Sequence, residues 1–516
     1  MNQEENNHYT RLCAYVTLVF AGFRLMVMGR TGLGDSESYY WAWAQRPDFS
    51  YYDHPPMTAW LIRLFTEIGG DSTFMIRLPS VILFTVLCYL IYRLSMDMFN
   101  DAKVAFYSLL TFNLIPQFGI AALQIVPDIP AAVCYLAFIV GVNRLLREDG
   151  PASGWYWLGA IIGAGLLGKY FVILLAPCVL ILVAWVPRYR HWFLRFQPYM
   201  MAPVAFLFFL PVIIWNVQND WPSFKFHLVD RHSGAGFQLK TIAEFAAGQL
   251  LYVTPIYLAG LLWALWHGTV RAMRGDRVYA VLVSFSVPTL AFFYVVCMWT
   301  NEAEPHWPAF GYLTAIIMFC ALGLERMRNG SVRDARLKRR FYQAATGLAG
   351  LVFALFYIHV FHPILPVKPK YDLVNELYGW DQVGLEIKKI HQELEKKKGE
   401  GNVFILARHW VLCSQAMYVT RDKIPVACFN DKMDQFDFWD DEQRLAGKTA
   451  IMISDLRFQQ TPDELYKFDS SREVSVIPVI RGGEMKRRFT LWVGENYQGM
   501  KKGFFTAESD PAGPPS

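Results

Sequence analysis

Long apolar stretches separated by short polar connectors fill the first 361 residues of the chain. A helix needs about 20 apolar residues to cross a bilayer, and most of these stretches approach or exceed that length. The pattern therefore predicts a polytopic helical membrane protein. The predicted single crossings are 11–29, 74–97, 102–123, 129–146, 199–217, 247–266, 278–298, 308–325 and 341–361.

One stretch, 155–186, is 32 residues long and has Gly168-Lys169-Tyr170 at its middle. A single crossing would place the arginines after it opposite those before it, whereas two short crossings keep them on one side. We therefore predict a hairpin, which gives eleven crossings. The arginines concerned are Arg144, Arg147, Arg188, Arg190 and Arg195.

The connectors after residues 266 and 325 are rich in arginine and lysine, so we expect them in the cytoplasm. This orientation puts the N-terminus inside and everything from about residue 362 outside. The acids and histidines then fall on outward loops. These loops are 30–70, 124–128, 218–246 and 299–307.

The tail alternates charged helical sequence with short strand-like runs, which predicts a small α/β domain. We expect two domains, a membrane domain at 1–361 and a periplasmic α/β domain at 362–516. The helix is expected over Val383–Lys398, and the segment from Asp510 is expected to be disordered. The predicted strands include 403–406, 450–453 and 489–493.

Composition supports these assignments: 54% of the 516 residues are hydrophobic, too many for an ordinary soluble protein. The net charge of +5 gives no indication of nucleic-acid binding. The N-terminus lacks a small-residue cleavage site, so the first span is expected to be an anchor. Six of the eight cysteines lie in or beside apolar spans, while Cys413 and Cys428 lie in the tail, where a disulfide between them is left open.

The segment 34–60 combines four acids, a histidine and a Pro-Pro pair with eight aromatic residues, which predicts the first wall of an active site. As an alternative to a functional role, Asp35 is the N-cap of a helix that starts there. The aromatic residues of the segment suit an interfacial belt or stacking on a sugar, and we favour the belt. Among the acids and the histidine are Asp35, Glu37, Asp53 and His54.

Two further charges stand out in apolar surroundings. Asp128 is either a functional acid at a membrane mouth or a cap for the next span. Lys169 has no evident structural reason in the middle of 155–186, although its ammonium could snorkel to the interface. A carboxylate with two imidazoles suits zinc or manganese. The candidate metal set is Asp53, His227 or His232, and His306.

Five motifs in this order resemble bacterial GT-C glycosyltransferases related to protein O-mannosyltransferases and to the lipid A 4-amino-4-deoxy-L-arabinose transferase. That family usually has adjacent Asp-Glu where Ser36 intervenes here, and often Glu-Lys-Pro-Pro where this chain has Asp-His-Pro-Pro. The motifs are Asp35-Ser36-Glu37 followed by Tyr-Tyr-Trp-Ala-Trp, Tyr52-Asp53-His54-Pro55-Pro56, Val126-Pro127-Asp128-Ile129-Pro130, Gly168-Lys169-Tyr170 and Pro305-His306-Trp307-Pro308.

The resemblance implies transfer of a sugar, with inversion, from a polyprenyl-phosphate donor to an acceptor outside the membrane. It ranks Asp35 first as the base, with Glu37 and Asp128 beside it. Departure of a phosphate needs fixed positive charge, so we assign Lys169, His54 and Arg231 to the donor phosphate. A divalent metal, zinc, manganese or magnesium, is expected at Asp53, His232 and His306 if one is used.

We therefore predict an inverting glycosyltransferase of the bacterial inner membrane, monomeric and surrounded by lipids, with a periplasmic active site. The acceptor would be lipid A or lipopolysaccharide, another envelope glycan, or a protein. The alternative is a transporter or flippase of lipid-linked sugar, but transporters usually show repeated halves and this chain shows none. A membrane metallohydrolase is disfavoured because the chain lacks a His-Glu-x-x-His motif.

Overall fold

The structure, a computed structural model, describes residues 3–147, 150–229, 236–237, 239–300, 304–430 and 432–501. Its contacts divide the chain into two compact units. The first, here called the helical unit, comprises residues 1–26, 54–58 and 77–355. The second, the mixed unit, comprises 27–53, 59–76 and 356–516. These units are defined by contacts and not by chain order, so the domain boundary at residue 361 stays a prediction.

Helices dominate the chain up to residue 361, as the apolar pattern predicts. In the described residues they are α1 (Gln3–Val27), α2 (Asp35–Gln45), α3 (Met57–Gly69), α4 (Thr73–Phe99), α5 (Ala102–Leu114), α6 (Pro116–Gly119), α7 (Asp128–Arg147), α8 (Gly154–Leu166), α9 (Leu175–Trp185), α10 (Met201–Gln218), α11 (Pro222–Leu228), α12 (Leu239–Val253), α13 (Pro255–Met273), α14 (Arg277–Trp299), α15 (Ala309–Asn329) and α16 (Val332–Phe361). Short 3-10 turns occupy Ala121–Leu123, Tyr170–Leu174 and Pro187–Leu194.

Seven of these helices are long and apolar enough to cross a bilayer, and the number rises to ten if each of three bent pairs is one span. The prediction of a multi-pass helical membrane protein is confirmed. The number eleven stays a prediction. The seven are α1, α4, α7, α10, α14, α15 and α16.

Prolines break two of the predicted spans. The axis bends by 73° where Pro116 follows α5 and by 101° where Pro255 opens α13. The predicted spans 102–123 and 247–266 are therefore each formed by a bent pair of helices, and whether each pair is one crossing stays a prediction. Proline has no backbone N–H and its ring clashes with the preceding turn, so each proline starts a new helix. A third bend, of 117°, precedes the turn at Pro187.

The predicted hairpin region is interrupted at its expected apex. Helix α8 ends at Leu166, residues 167–169 leave the helical path, and α9 begins at Leu175. The break coincides with the Gly168-Lys169-Tyr170 motif. Whether both arms cross the bilayer stays a prediction.

The mixed unit contains a five-stranded sheet of order β2-β1-β3-β5-β4. Strand β1 is parallel to β2 and β3, whereas β5 is antiparallel to β3 and β4. Its elements are α17 (Trp380–Lys398), β1 (Val403–Ala407), α18 (Trp410–Thr420), β2 (Val426–Cys428), β3 (Thr449–Asp455), α19 (Pro462–Leu465), β4 (Ser470–Arg481) and β5 (Glu484–Glu495), with 3-10 turns at Pro369–Tyr371, Leu373–Leu377, Gln435–Phe438 and Glu442–Leu445.

The predicted helix and all three predicted strands of the tail are confirmed as α17, β1, β3 and β5. Every residue of β1 and β3 is buried, as near-continuous apolar runs require in the parallel part of a sheet. Strand β4 was not predicted from the sequence, because this edge strand exposes half of its twelve residues, buries only two and alternates weakly. The segment expected to be disordered, from Asp510, lies outside the described residues.

The aromatic residues of α2 and the following loop form a core and not an interfacial belt. Trp41, Trp43 and Tyr51 have no exposed surface, and Tyr39 and Tyr52 are 4% and 5% exposed. The rings of Trp43 and Tyr51 stack with centroids 4.6 Å apart. The belt prediction is therefore wrong, because these rings pack inside the mixed unit.

The eight cysteines are free thiols, seven of them buried and Cys134 half-buried. Cys413 and Cys428 are not bonded to each other. The Sγ of Cys413 instead donates to the carbonyl of Ala407 at 3.5 Å. The disulfide that the sequence left open is therefore not formed in this structure.

Candidate functional site

In the helical unit, the buried Lys169 forms an ion pair with the half-buried Asp128. The Nζ atom lies 2.8 Å from both carboxylate oxygens. The Lys169 side chain is 7% exposed and that of Asp128 is 25% exposed. Lys169 therefore does not snorkel, and the two motifs that carry these residues meet although they are 41 positions apart.

Close backbone packing places Lys169 there. A Cβ atom on Gly168 would lie 3.1 Å from the amide nitrogen of Ala131 in α7, so a side chain at this position would push the segment away. The amide of Met57 donates to the carbonyl of Leu167 at 2.9 Å. This bond brings the His54-Pro55-Pro56 segment next to the break between α8 and α9.

Imidazoles surround this ion pair. His54 and His306 both interact electrostatically with the Asp128 carboxylate. The ring of His54 lies 6.2 Å from that of His227, which lies 5.1 Å from the ring of Tyr170. Four predicted site residues of the helical unit, His54, Asp128, Lys169 and His306, therefore share one region.

Two glutamine amides hold the loop that carries His306. Gln117 donates to the carbonyl of His306 at 2.8 Å, and Gln249 donates to the carbonyl of Pro305 at 2.7 Å. Tyr312 in turn donates to the Gln249 oxygen at 2.9 Å. These glutamines could not be recognised from the sequence, because a lone glutamine in an apolar span predicts nothing about its partner.

In the mixed unit, Asp35 is the first residue of α2 and not its N-cap. The N-cap is Gly34, whose amide donates to Oε2 of Glu37 at 2.9 Å. The interpretation of Asp35 as the cap is therefore wrong. The side chain of Glu37 instead accepts the free backbone N–H at the start of the helix. Asp35 instead accepts hydrogen bonds from Arg457 at 2.6 Å and from Gln415 at 3.2 Å.

Arg457 belongs to a chain of alternating charges. Its Nε lies 3.1 Å from Oδ2 of Asp455, and that oxygen also accepts from Nη2 of Arg487 at 2.9 Å. Burial raises the pKa of Asp455, but Arg487 and Arg457 outweigh this effect, so the pKa lies below its ordinary value. The Asp35 and Asp455 carboxylates raise the pKa of Arg457 despite its burial.

Glu376 completes this charge cluster. Burial, together with the Asp35 carboxylate, raises the pKa of its carboxyl group to about 8, although Arg457 partly offsets this effect. Glu376 is therefore mostly neutral at pH 7 in the folded protein. No sequence signal pointed to it, because an acid in a short polar turn is ordinary.

Asp53 lies elsewhere in the mixed unit. Its Oδ2 accepts from the hydroxyl of Tyr39 at 2.8 Å, and that hydroxyl accepts from the amide of Gln435, also at 2.8 Å. Across the described ranges, no three His, Cys, Asp or Glu side chains form a group able to hold a metal ion. The set of Asp53, His227 and His306 is therefore not supported. Arg231 and His232 lie outside the described residues.

The sequence of this chain is similar to sequences of known sugar transferases. The profile of the dolichyl-phosphate-mannose-protein mannosyltransferase family matches residues 53–215. The lipid A galacturonosyltransferase RgtD of Rhizobium johnstonii is 26% identical over 68% of this chain and 72% of its own length. The undecaprenyl phosphate-α-4-amino-4-deoxy-L-arabinose arabinosyl transferase of Erwinia tasmaniensis is 25% identical over 42% of this chain. The match spans only 39% of that relative's length.

Two solved structures resemble the fold of this chain over 90% or more of its length. ArnT from Cupriavidus metallidurans bound to undecaprenyl phosphate has a TM-score of 0.64 at 15% identity, covering 97% of this chain and 99% of ArnT. The chain has the GT-C fold. The archaeal oligosaccharyltransferase AglB from Archaeoglobus fulgidus has a TM-score of 0.57 at 11% identity, covering 90% of this chain and 71% of AglB.

The predicted resemblance to GT-C glycosyltransferases is thereby confirmed, and so is the class of the enzyme, since the matched relatives are sugar transferases. The comparisons favour this class over the transporter. Within the GT-C fold, the roles of the individual site residues stay predictions. The structure distributes them between two groups, His54, Asp128, Lys169 and His306 in the helical unit and Asp35, Glu37 and Asp53 in the mixed unit.

Proposed function

We propose that this protein transfers a sugar, with inversion, from a polyprenyl-phosphate donor to lipid A or a related envelope glycolipid. The names of the matched relatives support this proposal, because RgtD is a lipid A galacturonosyltransferase and the arabinosyl transferases use an undecaprenyl-phosphate sugar. A protein acceptor is the second candidate, supported by the match to the protein mannosyltransferase family.

The buried ammonium of Lys169 is the observation that carries the proposal. An ammonium has three N–H donors, and Asp128 takes two of them, so one remains for a phosphate oxygen. Fixed positive charge beside the departing phosphate stabilises the charge that develops in the transition state. His54 and His306 lie near the same carboxylate and are assigned to the donor phosphate or the acceptor, and we keep Arg231 as a further phosphate ligand.

The Asp35 carboxylate is the proposed base when the acceptor is a hydroxyl. Its Oδ1 accepts from Gln415 and its Oδ2 accepts from Arg457, and a carboxylate oxygen has room for a further hydrogen bond. If the acceptor is an ionised phosphate, no base is needed, and Asp35 then orients the sugar. Glu37 supports either role by fixing the start of α2.

A divalent metal enters the proposal only through Asp53, His232 and His306. Zinc, manganese or magnesium there would neutralise developing negative charge. Loss of transfer after chelation, restored by one of these ions, would support the metal. Full transfer after exhaustive chelation would remove it.

We propose further that the enzyme is a monomer of the inner membrane with the mixed unit in the periplasm, and that residues 362–516 form its own domain. Seven of the eight native thiols are buried and Cys134 is half-buried, so Glu473→Cys on β4 and Arg333→Cys at the start of α16 are labelled singly, with the parent chain as the background control. An impermeant maleimide added to intact spheroplasts should label the first and not the second. The reverse result contradicts the orientation.

The decisive test compares envelope glycolipids of a deletion strain with wild type by mass spectrometry. We expect one sugar to be missing from lipid A, restored by the wild-type gene and by Lys240→Met, an exposed lysine of α12, but not by Lys169→Met. A strain whose glycolipids and glycoproteins are unchanged would contradict the proposal. Vesicles in which purified protein moves the donor but transfers no sugar would favour the transporter.

A further inference from the structure

Three polar residues of the mixed unit interact with Asp35 although the motifs do not include them: two donate hydrogen bonds to its carboxylate and the third interacts with it electrostatically. They come from three places in the chain: the end of β3, the helix α18, and the turn Leu373–Leu377. The carboxyl ends of parallel strands are where open α/β sheets usually hold ligands. The residues are Arg457 just after β3, Gln415 in α18 and Glu376 in the turn.

The guanidinium of Arg457 bridges two carboxylates. Nη1 lies 2.6 Å from Asp35 and Nε lies 3.1 Å from Asp455, while the side chain is 24% exposed. Its Nη2 is buried and has no hydrogen-bond partner in the described part of the chain. A planar fork holds two carboxylates at fixed directions, which the single ammonium of a lysine cannot do.

The opposite side of the Asp35 carboxylate is held by Gln415. Its amide nitrogen donates to Oδ1 of Asp35 at 3.2 Å and to the carbonyl of Leu33 at 2.9 Å. Helices α2 and α18, which carry Asp35 and Gln415, are also joined by a 3.0 Å hydrogen bond between the hydroxyls of Ser38 and Ser414. Residues more than 370 positions downstream therefore set the direction of the Asp35 carboxylate.

We propose that Arg457 and Gln415 are positioning residues for Asp35, and that the cluster holds its geometry only while Glu376 is neutral. The inference rests on the proposed function, in which Asp35 faces the sugar or the acceptor.

The backbone carbonyl of Glu376 accepts a hydrogen bond from Nη1 of Arg487 at 3.4 Å, so its turn lies against the charge network, and charges from several elements act on its carboxyl group. Asp35 and Glu37 come from α2, Arg457 from the loop after β3, and Arg487 from β5. Ionisation of Glu376 would add a third carboxylate and compete with Asp35 for Arg457. Since burial and Asp35 raise its pKa to about 8, Glu376 ionises just above neutral pH, and the competition for Arg457 begins there.

The first experiment measures thermal unfolding of the full chain in lipid nanodiscs between pH 6 and pH 9. The folded protein holds a proton on Glu376 that the unfolded chain has lost, so stability falls as the pH rises from the ordinary value of 4.5 towards about 8. Glu376→Gln should flatten this fall by several degrees in Tm. Glu473→Gln, an exposed acid of β4, should follow wild type. A Glu376→Gln profile parallel to wild type overturns the role of Glu376.

The second experiment measures transfer from undecaprenyl-phosphate-linked sugars to lipid A in the same nanodiscs. Arg457→Lys keeps the charge but loses the fork, and we expect kcat to fall about 10²-fold with little change in KM, as for other small misplacements. Arg472→Lys on β4 is the matched control. Wild-type kcat in Arg457→Lys overturns the positioning role.

The same assay separates this inference from the proposed function. Transfer by wild type should decline above pH 8, and Glu376→Gln should lack that decline. If wild type transfers none of the sugars, the proposed function fails, while the thermal profile still decides whether Glu376 is held neutral.

Discussion

The two ion pairs at the candidate sites differ in how firmly each holds its carboxylate. In the helical unit, Lys169 places one ammonium against both oxygens of Asp128. In the mixed unit, Arg457 divides its donors between Asp35 and Asp455, and Arg487 braces Asp455 from the other side. The first is a compact pair, and the second is a network.

This difference suggests a division of labour. A lysine ammonium is a point charge on a flexible stem, so it can exchange one acceptor for another without distorting its surroundings. A guanidinium fixed between two carboxylates has much less freedom. We therefore expect the Lys169 pair to rearrange around a phosphate, and the Arg457 network to keep Asp35 still.

The largest effect on the difference between the two ion pairs is expected from Asp35→Asn. It removes the proposed base and weakens the contact with Arg457, so transfer to a hydroxyl acceptor should fall by about 10²- to 10⁴-fold. The initial rate of sugar transfer measures this. Binding of undecaprenyl phosphate should be unchanged, since that contact is assigned to Lys169. Wild-type transfer rates in this variant would remove Asp35 from the base role.

Asp455→Asn tests the network itself. It leaves two guanidinium groups without their buried partner, and breaking a buried pair typically costs about 3–5 kcal/mol. The pKa of Asp455 is lowered from 3.8 in the folded protein, so its stabilisation is present above that value and lost as the pH falls through the lowered one. Chemical unfolding at pH 7 and pH 3 measures both effects. Equal stability losses at the two pH values would contradict the network.

Lys169→Met tests the compact pair. Affinity for undecaprenyl phosphate, measured by direct binding to the purified protein, should fall about tenfold to a hundredfold, since a charge-assisted hydrogen bond contributes about 1.5–3 kcal/mol. The double variant Lys169→Met with Asp128→Asn removes the unpaired carboxylate and serves as the folding control. Unchanged affinity in both variants would assign Lys169 to structure alone.

The smallest effect should come from Glu67→Gln in α3. Glu67 pairs with Arg63 at 2.7 Å, but the two side chains are 59% and 38% exposed. Exposed pairs of this spacing contribute about 0.3–0.5 kcal/mol. The Tm of this variant in low and high salt should therefore differ little from that of wild type. This small loss is the reference against which the losses at the Lys169 and Arg457 pairs are compared. A loss as large as that of Asp455→Asn would show that burial is not what distinguishes them.

The sequence predicted the helices and the α/β tail, and it singled out Asp128 and Lys169 separately, because apolar length and isolated charges are local signals. It did not predict the bends at Pro116 and Pro255, since a long apolar run hides where the axis turns. The partners of Asp35 were also missed. Arg457 and Gln415 are ordinary polar residues of the tail, and only the tertiary fold brings them to α2.

The aromatic residues of α2 show the same limit. Tyr39, Trp41 and Trp43 have the composition of a membrane interface, yet they pack inside the mixed unit. Composition identifies what a side chain can do in either setting, whereas burial is decided by the whole unit. The five motifs succeeded where composition failed, because their order along the chain matches a known family.

The burial of seven of the eight native thiols, with Cys134 half-buried, makes this enzyme convenient for spectroscopy. Spin labels or fluorophores attached to one new cysteine on β4 and another at the start of α16 would report distances without removal of any natural cysteine. Such probes could follow movement during turnover in a lipid environment, in the wild-type background of side chains.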